Sequence, residues 1–440
     1  MKVEFRIQHS RPIPGRPLTL TGLTRVTGDA PPGEERLPLN LALVLDRSGS
    51  MQGEKLRNLK EAVRLLMRRL RPDDVVSAVG YDHEVMTLAR GATGGEGHEG
   101  VLAALERLHA RGMTNLSGGW FQGRHLATGH RVQGGVNRIL LMTDGLANQG
   151  VTHRGALTEL CRAVADEGIV TTTIGFGADY DEDLLRDMAE AGGGATWYVE
   201  TPDQAPGIFE EEIEGLLSLA AQHVRLRFRL APGCRFVELH HDHPLHHTPD
   251  GVEVDLGDLY ALEPRPALFR LELAPPAPPR PGERVVDGGW RGWSPGEELS
   301  LGTLEVSGYR TGGPDGAGVR REVVELPMRF TLAREGRADP EVERVRALLR
   351  TARARRDAMA REERGDVPGA QRILREAAGL LVQAAPHDED ALIEARDLEQ
   401  VATHLGEAGG FDAADLKYMK QSAWDESRAR SRAKKRYYRE

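Results

Sequence analysis

Five apolar residues in a row, Leu41-Ala42-Leu43-Val44-Leu45, end abruptly in Asp46-Arg47-Ser48-Gly49-Ser50. A second apolar run, Ile139-Leu140-Leu141-Met142, ends in Thr143-Asp144-Gly145. Unbroken runs of this length fit strands buried on both faces, as in parallel sheets. Between them the period lengthens. Glu54–Leu70 places Leu56, Leu59, Val63, Leu66, Met67 and Leu70 on one helical stripe. Asp74–Tyr81 and Glu84–Leu88 read as strands around a tight turn at Asp82-His83. That turn is too short for a crossover helix, so the second strand is predicted antiparallel. Ser117–Arg131 and Thr152–Glu167 read as helices, the latter capped by Thr152. Ile169–Gly175 reads as a strand, Asp181–Glu190 as a helix and Ala195–Val199 as a strand. Pro202–Leu219 reads as a helix with proline at its start. Strands alternating with helices predict an α/β domain over residues 37–221, with a doubly wound, mostly parallel sheet.

Outside that span the period drops to two. Val3, Phe5 and Ile7 alternate with charges, and Val224, Leu226, Phe228 and Leu230 alternate with Arg225, Arg227 and Arg229. Leu18–Val26, Arg235–Leu239, Val252–Leu256, Ala267–Leu273, Leu299–Val306 and Glu322–Leu332 continue the pattern. They predict an antiparallel β-sandwich made of residues 1–36 and 222–334, with the α/β domain inserted. Pro275–Pro281 and Gly312–Gly318 are loops. Helical spacing returns after Pro340. Glu341–Glu363, Ala370–Ala385 and Asp388–Leu405 predict a helical module over 339–408, packed on the sandwich. Its first two helices resemble a tetratricopeptide-like hairpin, but no second copy follows, and such repeats need several copies to stand alone.

Asp46, Ser48 and Ser50 offer only hard oxygens, which suit Mg²⁺ or Mn²⁺ better than zinc. They stand at the carboxyl end of a predicted parallel strand, where open α/β sheets bind ligands. Gly112–Gly119 is a glycine-flanked loop presenting Thr114, and Asp144 ends the second run. Any one of these five could be an ordinary helix cap; all five at these spacings argue for a site. D-x-S-x-S, a loop threonine and T-D-G after a strand together resemble the von Willebrand factor A domain and its metal-ion-dependent adhesion site. The resemblance runs from about Leu37 to Ala221. It implies that Ser48 and Ser50 bind metal directly, that Asp46 often acts through water, and that Thr114 joins in one of two states. Asp144 comes from the third loop. The last coordination position is left for water or a partner's carboxylate. No member of the motif is missing, so a complete site of the bacterial intracellular type is expected.

At 440 residues the chain should hold two or three domains. A net charge of −9 gives no global pull toward nucleic acid. No run of 18 apolar residues occurs, so no membrane span is expected. The first residues read as a strand and not as a secretory signal. Two cysteines, Cys161 and Cys234, are too few for a disulfide scaffold, so the cytoplasm is the default. The segment 409–440 holds four of the seven lysines, Lys417, Lys420, Lys434 and Lys435, with Arg428, Arg430, Arg432 and Arg436. It reads as a frayed, solvated end, the alternative being a docking tail for an acidic partner or nucleic acid. His240, His241, His243, His246 and His247 read as a surface loop rather than a transition-metal site.

The expected function is a metal-dependent protein-binding module that captures an acidic residue of a partner, not an enzyme. With no G-x-x-x-x-G-K-[ST], the chain could serve an AAA+ ATPase of the MoxR or chelatase type only as its adaptor. A Mg²⁺-dependent hydrolase is the weakest reading. A haloacid-dehalogenase-like site needs a second Asp where Ser48 stands, and G-x-S-x-G does not occur at Asp46–Ser50.

Overall fold

The computed structural model describes residues 1–13, 15–29, 37–144, 148–177, 181–199, 207–208, 214–215, 218–275, 294–310, 320–411 and 413–427. They fall into two compact units. One comprises residues 1–29, 223–308 and 321–431; the other is built on residues 30–222, which interrupt the first in sequence.

The interrupting unit is the α/β domain. Its six strands are β3 (Leu39–Asp46), β4 (Val75–Tyr81), β5 (Val85–Ala92), β6 (Val136–Thr143), β7 (Ile169–Phe176) and β8 (Gly193–Val199). They lie in the order β5-β4-β3-β6-β7-β8. Every pair is parallel except β4–β5, which is antiparallel across the Asp82-His83 turn as expected. β3 and β6 are buried along their whole length, which explains their unbroken apolar runs. Helices α1 (Glu54–Arg69), α3 (Leu116–Gly129), α4 (Arg154–Asp166) and α5 (Glu182–Ala191) follow the predicted spans to within two residues. Helix α3 comes very close to the sheet at Gly123, where a Cβ would lie 2.3 Å from Val44 Cγ2.

One helix is unexpected, one expected cap is replaced, and one expected helix lies largely outside the described residues. Helix α2 (Gly94–Glu106) was not anticipated. Its opening Gly94-Gly95-Glu96-Gly97 has poor helix propensity, and burial of His98, Val101 and Leu105 outweighs it. The cap of α4 is His153, whose Nδ1 accepts from Ala156 N at 3.3 Å, not Thr152. The helix expected at 202–219 lies largely outside the described residues, and the strand that follows already begins at Leu219.

The other unit holds two sheets. One has the order β1-β2-β13-β10, from Lys2–His9, Leu18–Thr27, Pro264–Leu273 and Cys234–Leu239. The other has the order β11-β12-β9-β14-β15, from Leu245–Thr248, Gly251–Tyr260, Leu219–Leu230, Glu298–Arg310 and Arg320–Thr331. Phe228 of β9 meets Phe269 of β13 edge-on at 4.7 Å, so the two inner faces share an aromatic core. The C-terminal helices are α6 (Pro340–Glu362), α7 (Val367–Ala384), α8 (Glu389–Ala408) and α9 (Ala413–Ser427). Val342 and Val345 of α6 pack on Leu23 and Leu268 of the four-stranded sheet.

Helix α9 corrects the reading of the tail. Residues 413–427 are helical, with Met419 and Ala423 buried, so this part is not a frayed end; residues 428–440, with the remaining basic residues, lie outside the described set. Arg355 of α6 is fully buried here. Its Nη2 bonds Asp397 at 2.9 Å and also Glu394, both on α8, and its Nε lies 3.8 Å from Glu426 on α9.

The histidine cluster is also corrected. Leu245–Thr248 is strand β11, paired with β12, and His241 and His243 are buried. Their rings stack at 5.4 Å, and His241 Nδ1 accepts from Leu268 N at 2.9 Å. The five residues bring no three ligand atoms together. Burial, helped by the neighbouring His240, pushes the His241 pKa down to about 3. The folded ring therefore stays neutral while the unfolded one protonates below its ordinary value. Its contribution is complete above about pH 6.5 and is lost as pH falls toward 3, by about 1.4 kcal/mol per pH unit. Denaturant titrations at pH 7 and pH 5 should show a shallower loss of stability for His241→Asn than for the wild type. Equal losses would contradict this account.

Candidate metal centre

The expected ligands meet where β3, β4 and β6 end. The strand register places Asp46 opposite Tyr81 of β4, and Leu45 opposite Met142 of β6, so Thr143 comes alongside Asp46. Strand order reverses on either side of β3, and the crevice at such a switch point is open to a ligand. Asp46 itself is fully buried. Its Oδ1 accepts from Ser48 N at 2.7 Å, which closes a tight Asx-type turn. Its Oδ2 accepts from Thr143 Oγ1 at 2.5 Å. Burial pushes the carboxyl up to about 6; the Thr143 and Ser48 hydrogen bonds oppose the shift and the Asp144 charge adds to it.

The turn carries the chain through a short 3₁₀ segment, Gly49–Met51, pinned by the buried Met51. Ser48 Oγ lies 3.0 Å from Ser50 Oγ, and Ser50 Oγ donates to Asp144 Oδ1 at 2.7 Å. Two hydroxyls and a buried carboxylate thus form one continuous oxygen chain. On the other oxygen, Asp144 Oδ2 receives Lys55 Nζ at 2.6 Å.

Thr114 is placed by its backbone. Its N donates to Asn148 Oδ1 at 2.9 Å, and its carbonyl accepts from Asn148 N at 3.3 Å. Among the described residues its hydroxyl bonds none of the other four candidates. Four of the five are therefore linked directly, and the fifth is held beside them by a neighbouring loop.

The loops are tied to each other as well. Arg111 N donates to Arg47 O at 2.8 Å, and Gly49 N donates to Gly112 O at 3.1 Å. The buried Asp82 carboxylate binds Arg47 at 2.9 Å and Arg111 at 3.0 Å, joining the first two loops to the β4–β5 turn. Asp82, His83 and Glu84 do gather within 4.8 Å, but Asp82 and Glu84 are already neutralised by Arg47 and Arg111.

Tyr81 lies fully buried between Asp46 and Thr143, with its Oη in a hydrogen bond of good geometry to neither. Burial raises its phenol far above the ordinary range, so it stays a neutral donor. The donor set is all oxygen, anionic at its base and already drawing one cation, Lys55. These are the requirements of a hard divalent ion. Sequence reasoning missed Lys55, Tyr81, Asn148 and the Arg47–Asp82–Arg111 tie. Only Lys55 left a signal, because a cation in the first turn of a helix opposes the helix dipole and needs an anion nearby.

Residues 40–211 match the von Willebrand factor type A domain profile. The Synechocystis sp. protein sll0103 is 32% identical over 208 residues, covering 47% of this chain and 48% of that one. YfbK of Escherichia coli is 30% identical over 201 residues, 45% of this chain and 35% of its own. Inter-alpha-trypsin inhibitor heavy chain H3 of Homo sapiens is 28% identical over 200 residues, 43% of this chain and 22% of its own. The chain thus spans less than half the length of each of these relatives. Two solved structures share the fold across nearly the whole chain. A von Willebrand factor type A protein from Catenulispora acidiphila has a TM-score of 0.68 at 15% identity, covering 96% of both chains. The ArnB paralog VWA2 from Sulfolobus acidocaldarius has a TM-score of 0.56 at 15% identity, covering 97% of both. Within this chain, the segment that carries Asp46, Ser48, Ser50, Thr114 and Asp144 is a von Willebrand factor type A domain.

Proposed function

We propose that this domain is a metal-dependent protein-binding module and not an enzyme. Asp46, Ser48, Ser50, Thr114 and Asp144 would together hold Mg²⁺ or Mn²⁺. The ion would supply an electrophilic point for a carboxylate. The partner would be a protein presenting an acidic side chain to the open face of the strand ends. The supporting observation is the unbroken Ser48–Ser50–Asp144 oxygen chain at the sheet's switch point. The protein's own groups do the remaining work. Thr143 and Ser48 N fix the orientation of Asp46, and Asn148 holds the Thr114 loop against the Asp144 loop. Both cysteines are free, in keeping with a reducing compartment such as the cytoplasm. Among the described residues no helix is long and apolar enough to cross a membrane.

The test is affinity capture of partners by the full chain in Mg²⁺ and in EDTA. Partners should be retained in Mg²⁺ and lost in EDTA, and the retained set shows whether an AAA+ ATPase is among them. EDTA should also lower the melting temperature without removing cooperative unfolding, because the apolar strands rather than the ion hold the sheet. An ion at a hundredfold excess over Kd adds only about 2.7 kcal/mol. Identical captures with and without Mg²⁺ would overturn the reading.

A further inference from the structure

Lys55 touches the ligand set yet has no part in the proposed function. It sits in the first turn of α1, the end of a helix where a cation is disfavoured. Its Nζ lies 2.6 Å from Asp144 Oδ2, and the Asp144 side chain is 0% exposed while that of Lys55 is 28% exposed. The lysine stem also rests on bare backbone. A Cβ at Gly177, just beyond β7, would come within 3.3 Å of Lys55 Cε and 3.4 Å of Nζ. The ammonium is thus aimed at the buried carboxylate from the solvent side, over a glycine that leaves it room.

We propose that Lys55 is a built-in competitor for the metal. It neutralises Asp144 in the ion-free protein and sets how tightly a divalent cation binds. The proposal rests on the metal-binding reading above. Asp144 offers one negative charge through two oxygens. One oxygen faces Ser50 and the ligand chain, and the other holds the ammonium. A divalent ion on the first oxygen and an ammonium on the second repel each other across one buried carboxylate, where screening by water is weak. An arriving ion must displace Lys55 toward solvent or bind against its charge, and either lowers affinity. The same contact keeps a buried carboxylate partnered when no ion is present. The domain then needs no metal to fold, and metal loading becomes graded.

Calorimetric titration of the full chain with MgCl₂ tests this, comparing wild type, Lys55→Met, Lys55→Arg and Asp144→Asn. Lys55→Met should bind Mg²⁺ about tenfold more tightly or better, since removing a like charge this close is worth at least one decade. Lys55→Arg should stay near wild type, and Asp144→Asn should bind no ion. In EDTA, Lys55→Met should melt below wild type, and saturating Mg²⁺ should more than restore it. If Lys55→Met is too unstable to purify, Lys55→Gln should show the same sense of change. Wild-type or weaker affinity in the neutral variant overturns the proposal alone, because Lys55 would then merely position Asp144. No binding by any chain, Lys55→Met included, overturns both this proposal and the metal reading.

Discussion

Arg355→Met should destabilise the sandwich and helical unit by about 3–5 kcal/mol, the range seen when one partner of a buried ion cluster is removed. The guanidinium is fully buried and faces Glu394, Asp397 and Glu426 from two different helices. Burial alone would favour the neutral form, but the three carboxylates outweigh it and drive the pKa well above its ordinary value. Glu426 is fixed independently by Thr351 Oγ1 at 2.6 Å, so it cannot simply swing out to water. With methionine in place, buried carboxylates either stay charged without a partner or take up protons. Guanidinium titration followed by circular dichroism should therefore show the loss at pH 7. Adding Glu394→Gln to Arg355→Met should recover part of it. A loss below about 1 kcal/mol would mean that water reaches the cluster and screens it as it does surface pairs.

The second large effect separates stability from binding. In EDTA at pH 7, Asp46→Asn should be more stable than wild type, yet it should gain nothing from Mg²⁺. The folded carboxyl has its pKa raised to about 6 by burial. In the ion-free chain the charged form is thus a liability, fully present above about pH 6 and gone below about pH 4. Raising a carboxyl from its ordinary value to about 6 corresponds to about 3 kcal/mol, and imperfect amide hydrogen bonding reduces this to a gain of about 1–2 kcal/mol. Thr143 can turn its hydroxyl to accept from an amide, and Ser48 N can still donate to the amide oxygen. Thermal melts with and without MgCl₂ at pH 7 and pH 4 read all of this. If Asp46→Asn is less stable than wild type in EDTA at pH 7, burial is not the dominant cost at this position. Function kept at a cost in stability is common at binding sites.

The sheet and most of the ligand loops were legible because their physics is local. A strand buried on both faces must be apolar throughout, and β3 and β6 are. A polar run at its end must then be turn, cap or ligand, and Asp46, Ser48, Ser50 and Asp144 at two such ends, with Thr114 from a third loop, left little else. Tertiary override was not legible. Helix α2 begins in glycines and exists because Val101 and Leu105 are buried. Strand β11 is four residues long with His246 and His247 exposed, so its apolar period is too short to detect. Helix α9 hid behind its charge: the lysines suggested a solvated end, while Met419 and Ala423 face inward. At the site, Tyr81 and Asn148 are distant in sequence and belong to no motif. Only the folded chain brings them to the ligands.

The Asp82 tie has a thermodynamic consequence for ion binding. Asp46 and Ser48 belong to the proposed ligand set, while Arg47, the residue between them, is anchored to Asp82. The same carboxylate holds Arg111 on the second loop. Both loops are therefore immobilised by contacts that need no ion. The conformational entropy of ordering them is lost when the protein folds, not when the ion arrives. Binding should consequently show a small entropic penalty from the chain, with its heat and entropy dominated by release of the ion's own hydration water.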